Sequence, residues 1–160
     1  MSTLEEKLIK GFRKHKPRLK LALAESCTGG MIAERITAVA GASDIFLGGV
    51  VCYANEVKRD VLGVPKNMLK PSGPGAVSEP CALLMAEGVR KLLAADVAVA
   101  VTGIAGPSGG SKEKPVGLVF IGISTASTTE VVRHIFVGDR GQIRQQAADA
   151  ALTLALTYIG

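Results

Sequence analysis

The 160-residue sequence has no tryptophan, and phenylalanine and tyrosine together make up only 4% of it. A core must therefore be filled by Ala, Val, Leu and Ile, side chains that suit a buried sheet. Cysteine is scarce too: Cys27, Cys52 and Cys81 are odd in number and lack CxxC spacing. That argues against a disulfide framework and against a zinc site, so free, reduced thiols are expected. No apolar run is long. The densest, Leu92 to Val101, is interrupted by Asp96, and a spanning helix needs roughly 20 mostly apolar residues. The opening segment, Met1 to Lys20, is charged throughout and has no apolar region of a secretory signal. No membrane contact and a cytoplasmic location are expected.

What is present is a hydrophobic content of 48% against 21% charged residues, with a mean hydropathy of +0.32. Such a chain can bury a sizeable core, and its length suits one domain over residues 1–160. The formal charge of +5 owes much to Lys7, Lys10, Arg13, Lys14, Lys16, Arg18 and Lys20. A basic segment can attract nucleic acid, but no aromatics interleave with these residues and no binding motif accompanies them. A solvated helix face is the expected account, with no nucleic-acid partner.

Leu4, Ile9 and Phe12 among charged neighbours predict an amphipathic helix ended by Pro17. Leu19 to Ala24 reads as a short buried strand, running through the turn Glu25 to Gly30 into helical spacing over Met31 to Val39. Leu47 to Tyr53 is a second strand, followed by Asn55 as N-cap and a helix over Glu56 to Leu62. Lys70 to Gly75 is a loop. Ser78 as N-cap and Pro80 in the first turn open a helix to about Ala94, and Asp96 to Val101 is the third strand. Val116 to Ser124 and Glu130 to Val137 predict an antiparallel pair. The last helix has Asp139 as N-cap and Gln142 completing a capping box, with Ile143, Ala147, Ala150, Leu154 and Tyr158 on one face. Helices alternating with strands predict a layered α/β sandwich with a mixed sheet.

In open α/β sheets ligands bind beyond the carboxyl ends of strands, and three strand ends carry small, polar or Gly-rich turns. The first puts Ser26 just before a helix, where free N–H groups can stabilise an oxyanion, and Gly29 and Gly30 let a substrate approach the backbone. Ser26 or Thr28 as a plain helix cap fits the same spacing. A nucleophilic serine needs a base. His15 lies in the charged first helix and His134 within a strand, so Tyr53 and Lys58 are the candidates. On one helix these two would point about 140° apart; with Tyr53 ending the strand and Lys58 on the helix, both can face Ser26. Lys58 acts as a base only if burial, or a cation such as Arg59 or Arg140, lowers its pKa; a solvated lysine is the alternative. The loop Thr102 to Gly110 resembles a phosphate cradle but is neither a P-loop nor GxGxxG. Arg140, opening the last helix, can bind an anion or be an ordinary surface arginine.

The segments Ala24-Glu25-Ser26-Cys27-Thr28-Gly29-Gly30, Tyr53-Ala54-Asn55-Glu56-Val57-Lys58, Gly75 to Glu79, Thr102 to Gly110, Lys114 to Gly117 and Gly138-Asp139-Arg140 resemble the CinA C-terminal domain family, from about Thr3 to the C-terminus. The resemblance implies an α/β fold: a three-layer α/β/α sandwich around a mixed, mostly parallel sheet of about five strands. It also implies hydrolysis of nicotinamide mononucleotide to nicotinic acid mononucleotide and ammonia. Its catalytic serine, tyrosine and lysine fall on Ser26, Tyr53 and Lys58, and substrate would meet Thr28, Gly29, Gly30, Thr102, Gly103, Gly106 and Arg140. No cofactor or metal is implied, and a homo-oligomer is expected. Members are often fused behind a larger N-terminal domain, and this chain is expected to carry the amidase alone. The Pro71 to Gly75 run is longer than the family pattern leads one to expect. The competing readings are a nucleotide-binding module without turnover and a basic nucleic-acid-binding protein.

Overall fold

The apolar stretches between the Gly- and Pro-rich loops become the strands of one sheet. In the computed structural model, which describes residues 1–160, these are β1 (Leu21–Glu25), β2 (Phe46–Val51), β3 (Val97–Gly103), β4 (Leu118–Thr125) and β5 (Thr129–Ile135), in the order β2-β1-β3-β4-β5. β1 pairs in parallel with β2 and β3, while β4 runs antiparallel to β3 and β5. Four strands thus share one direction, although the pairings divide evenly between parallel and antiparallel.

The central strands are buried on both faces, and the two faces differ in side-chain size. Leu21, Leu23, Val97, Val99 and Val101 point to the larger core, covered by α1 (Leu4–Lys14), α2 (Met31–Thr37) and α6 (Arg140–Ile159). Ala22, Ala24, Ala98 and Ala100 point the other way, towards α5 (Glu79–Leu93). Small side chains let α5 sit close to the sheet. A Cβ on Gly122 of β4 would lie 2.7 Å from the Ala82 carbonyl oxygen. The three layers are those expected of the sandwich.

Helix starts follow their capping chemistry. Thr3 with Glu6 and Asp139 with Gln142 form capping boxes on α1 and α6, and the Ser78 hydroxyl accepts from the Cys81 N–H on α5. Two short helices, α3 (Asn55–Asp60) and α4 (Lys66–Leu69), follow β2. Asn55 is not the N-cap of α3 as its position suggests. Ala54 is the last extended residue and caps without a side-chain bond, so Asn55 enters the first turn.

α2 stops at Thr37, short of the expected Val39. The buried face of α6 is also rotated: Ile143, Ala147, Ala148, Ala151, Leu152, Ala155 and Ile159 are buried, while Ala150, Leu154 and Tyr158 sit half-buried at its margin. Alanine and leucine surround that helix almost completely over 147–156, so several stripes satisfy a helical period and packing against both α1 and the sheet selects one. No helix is long and apolar enough to cross a membrane.

Gly88 on α5 lies directly under the Leu62 carbonyl oxygen. Gly88→Ala must push that backbone segment away, and an overpacked contact of this kind costs about 1–3 kcal/mol. Urea denaturation is expected to give a lower midpoint with an unchanged slope; an unchanged midpoint contradicts this packing.

Candidate active site

β1 ends on Glu25, and the chain then turns sharply through Ser26 to Gly30 into α2. Gly29 and Gly30 have φ of 60° and 106°, a region that residues with a Cβ enter only at a cost. Gly30 caps α2 without a side chain. The orphan N–H groups of α2 are met instead by the Glu25 carboxylate, 2% exposed, which accepts from Ile32 N at 2.9 Å and Ala33 N at 3.0 Å. On the α6 side, Arg144 donates from Nε to the Cys27 carbonyl at 3.0 Å and from Nη2 to the Thr28 carbonyl at 2.9 Å. The Ser26 N–H is committed to the Val101 carbonyl of β3 at 2.9 Å. Three elements thereby immobilise the turn.

Lys58 reaches this turn from α3. It is 1% exposed, and its Nζ donates to the carbonyls of Cys52 at 2.5 Å and Tyr53 at 3.1 Å and lies 3.0 Å from Ser26 Oγ. Two backbone carbonyls can only accept, so they occupy two N–H bonds of the amine in either charge state. The third direction faces Ser26 Oγ. Along it the proton can sit on nitrogen as ammonium, or on oxygen with the neutral amine's lone pair as acceptor. That is the geometry a general base needs beside a nucleophile. Arg59 plays no part as a neighbouring cation: it is paired with Asp60 on the surface.

Ser26 and Lys58 line a cleft of about 350 Å³ together with Tyr53, Asn55, the segment Thr102–Gly106 and Arg140. Larger depressions occur elsewhere, such as one of about 450 Å³ between α1 and the end of α6, but they lack a nucleophile with a base. The Tyr53 side chain is 62% exposed. Its hydroxyl accepts from Arg140 Nη2 at 3.3 Å, and it touches Lys58 only through its carbonyl. Arg140 also donates to the Gly106 carbonyl at 2.8 Å, holding the Thr102–Gly110 loop against the start of α6.

Of the residues expected to meet substrate, Thr102, Gly103, Gly106 and Arg140 line the cleft, whereas Thr28, Gly29 and Gly30 do not. The last three shape the turn instead. Thr28 is fully buried and its hydroxyl has no protein partner, and Thr102 donates to the Ala76 carbonyl at 2.8 Å, tying in the loop before α5.

The other titratable groups do not compete. His15 bonds the Ile159 carbonyl and His134 stacks on Phe136, neither in the cleft. Burial pushes the Cys27 thiol up to about 11, despite the opposing pull of Arg144 and Lys58, so the thiol beside Ser26 is protonated at neutral pH. Glu25 and Arg144 are the site residues that the sequence alone does not single out. Glu25 reads as part of the turn, and Arg144 is one of several polar residues in the first turns of α6. Only the ligation of backbone groups distinguishes them.

A buried lysine bonded to a serine at the carboxyl end of β1 defines the class: an α/β protein with a serine–lysine centre. Residues 1–159 match the CinA C-terminal domain, and the chain belongs to that family. It is 53% identical over 135 residues to a CinA-like protein of Anaeromyxobacter dehalogenans, covering 84% of this chain and 33% of that protein. The chain thus spans about a third of the length of the curated relatives it matches. Among solved structures it resembles competence/damage inducible protein CihA from Agrobacterium tumefaciens, at 41% identity and a TM-score of 0.86 over 99% of both chains. It also resembles a CinA superfamily protein from Enterobacter cloacae, at 31% identity and a TM-score of 0.89 over 100% of this chain and 94% of that one.

Two outcomes test this site. Glu25→Gln replaces one acceptor oxygen by a donor facing a backbone N–H, which is expected to cost about 1–3 kcal/mol in urea denaturation; full stability would show that the carboxylate does not hold α2. Iodoacetamide labelling of Cys27 in the native protein is expected to be slow at pH 8 and to rise about tenfold per pH unit towards pH 10. Fast labelling at pH 7 contradicts a raised thiol pKa.

Proposed function

We propose that the chain is an amidase that hydrolyses the carboxamide of nicotinamide mononucleotide to nicotinic acid mononucleotide and ammonia, with Ser26 as nucleophile and Lys58 as base. The 3.0 Å contact between Lys58 Nζ and Ser26 Oγ, in a buried site that already engages the other N–H bonds of the amine, supports this reading most directly. Family membership adds to it. The cleft is lined by Lys58 and Arg140 and by no Asp or Glu, which suits a substrate carrying a phosphate.

The neutral Lys58 amine takes the Ser26 proton as Oγ attacks the carboxamide carbon, giving a tetrahedral oxyanion. The Cys27 N–H, on a residue that lines the cleft, has no backbone acceptor and can donate to that charge. Lys58 then passes its proton to the amide nitrogen, the C–N bond breaks, and ammonia leaves an ester on Ser26. Water attacks the ester with Lys58 again as base, and collapse returns the proton to Ser26 and releases the acid. Tyr53, bonded to Arg140 at the rim, would orient the substrate and assist proton transfer to the leaving nitrogen, while Arg140, Gly103, Gly106 and Thr102 would meet the nucleotide. No step calls on a cofactor. One domain over residues 1–160, a cytoplasmic location and a symmetric homo-oligomer complete the proposal.

Ammonia release from nicotinamide mononucleotide by chelator-treated protein tests it. Wild type is expected to turn over, and Ser26→Ala and Lys58→Met to lose on the order of 10⁴-fold or more in kcat while remaining folded. An inert wild type that still binds the nucleotide points to a binding module without turnover, and a fully active Ser26→Ala removes the nucleophile.

A further inference from the structure

The nucleophile turn is gripped from behind by a cation that the reaction scheme does not use. Arg144 is half-buried one helical turn along α6 from Arg140, and two arms of its guanidinium end on consecutive carbonyls of the turn, those of Cys27 and Thr28. A planar fork that bonds two successive carbonyls fixes the orientation of both peptide planes. No carboxylate lies within ion-pair distance of Arg144, although Arg13, Arg18, Arg35 and Arg59 are all paired. A partly desolvated arginine without a counter-ion is not placed there for ion-pair stability.

We propose that Arg144 is a positioning residue for the amidase reaction, fixing the two peptide planes that follow Cys27 and Thr28 and, through them, the turn that carries Ser26 and the Cys27 N–H. The inference rests on the reading of Ser26 as nucleophile. The peptide bonds following Cys27 and Thr28 are trans, so each N–H points opposite to its carbonyl. With the Cys27 carbonyl drawn towards α6, the Thr28 N–H is turned to the other side, where no protein group accepts it. With the Thr28 carbonyl drawn the same way, the Gly29 N–H closes back on the Ser26 carbonyl at 3.0 Å. The fork thus holds the turn shut around Ser26, and the bond to the Ser26 carbonyl fixes the peptide plane whose N–H is that of Cys27. Cys27 lines the cleft and its N–H has no backbone acceptor, leaving it free for developing negative charge. Gly29 belongs to the same device: a Cβ there would lie 3.4 Å from Arg144 Nη2, on a backbone already at φ 60°.

Arg144→Lys keeps the charge but loses the fork, Arg144→Gln loses both, and Arg144→Ala leaves room for added guanidinium. Two rates are measured on the full chain: ammonia release from nicotinamide mononucleotide, and the burst of p-nitrophenolate as p-nitrophenyl acetate acylates Ser26. For Arg144→Lys and Arg144→Gln alike, kcat and the burst rate are expected to fall on the order of 10²-fold, the penalty of a slightly misplaced reacting group. KM should stay within about threefold, since the cleft lining is intact, and guanidinium should restore part of the Arg144→Ala rate. Wild-type rates in Arg144→Lys, a change confined to KM, or a loss that matches the unfolded fraction in urea would overturn the proposal. A wild type that releases no ammonia yet shows a Ser26-dependent burst sinks the amidase reading alone, and the burst still decides the role of Arg144. A wild type inert towards both removes both.

Discussion

A lysine amine with almost no solvent contact imposes the strictest requirement in this molecule. Removing an ammonium from water is costly unless its N–H bonds find acceptors, and Lys58 finds them in two backbone carbonyls and one hydroxyl. Those carbonyls are available because β2 ends at Val51 and the chain stays extended to Ala54 before α3 begins. Cys52 and Tyr53 therefore belong to neither a strand nor a helix, and their carbonyls are free to turn inward. The break between β2 and α3 and the burial of Lys58 depend on one another.

The opposite half of the site answers the same demand with fixed backbone. Ser26 must hold its hydroxyl at the one open direction of the amine, and its turn is secured by groups far apart in sequence: the Glu25 carboxylate on α2, the Val101 carbonyl on β3 and the Arg144 guanidinium on α6. Arg140 and Arg144 lie on either side of the turn without an ion-pair partner, while the Glu25 carboxylate is occupied by two backbone N–H groups. An anionic group entering the cleft would meet the Arg140 side chain and no free carboxylate.

Much of the fold was legible along the chain because local signals agreed with it. Ser78 and Asp139 start their helices as their capping chemistry demands, Pro80 lies in the first turn of α5, and the Thr/Ser-rich link between β4 and β5 makes a hairpin. Elsewhere the local signal is degenerate. Asn55 is a good N-cap by residue type, yet the extended conformation persists only to Ala54, where Lys58 must turn back towards Ser26. In α6 the apolar residues form no single stripe, and only contact with α1 and the sheet decides that Ala151 and Leu152 face inward and Leu154 stands at the edge.

The candidate site divides in the same way. The order of residues alone, through its resemblance to a family, singled out Ser26, Tyr53, Lys58 and Arg140, because each stands in a short motif of fixed spacing. Spacing also determined that Tyr53 and Lys58 cannot converge on one helix. The tertiary structure decided which atoms meet: Tyr53 reaches Lys58 through its carbonyl and Arg140 through its hydroxyl, Thr28 to Gly30 shape the turn without lining the cleft, and Glu25 and Arg144 hold it. These last choices bond side chains to backbone groups, one of them 116 residues away. A backbone carbonyl is the same at every position and leaves no mark in the sequence; only the folded path brings a particular one within reach of a particular side chain.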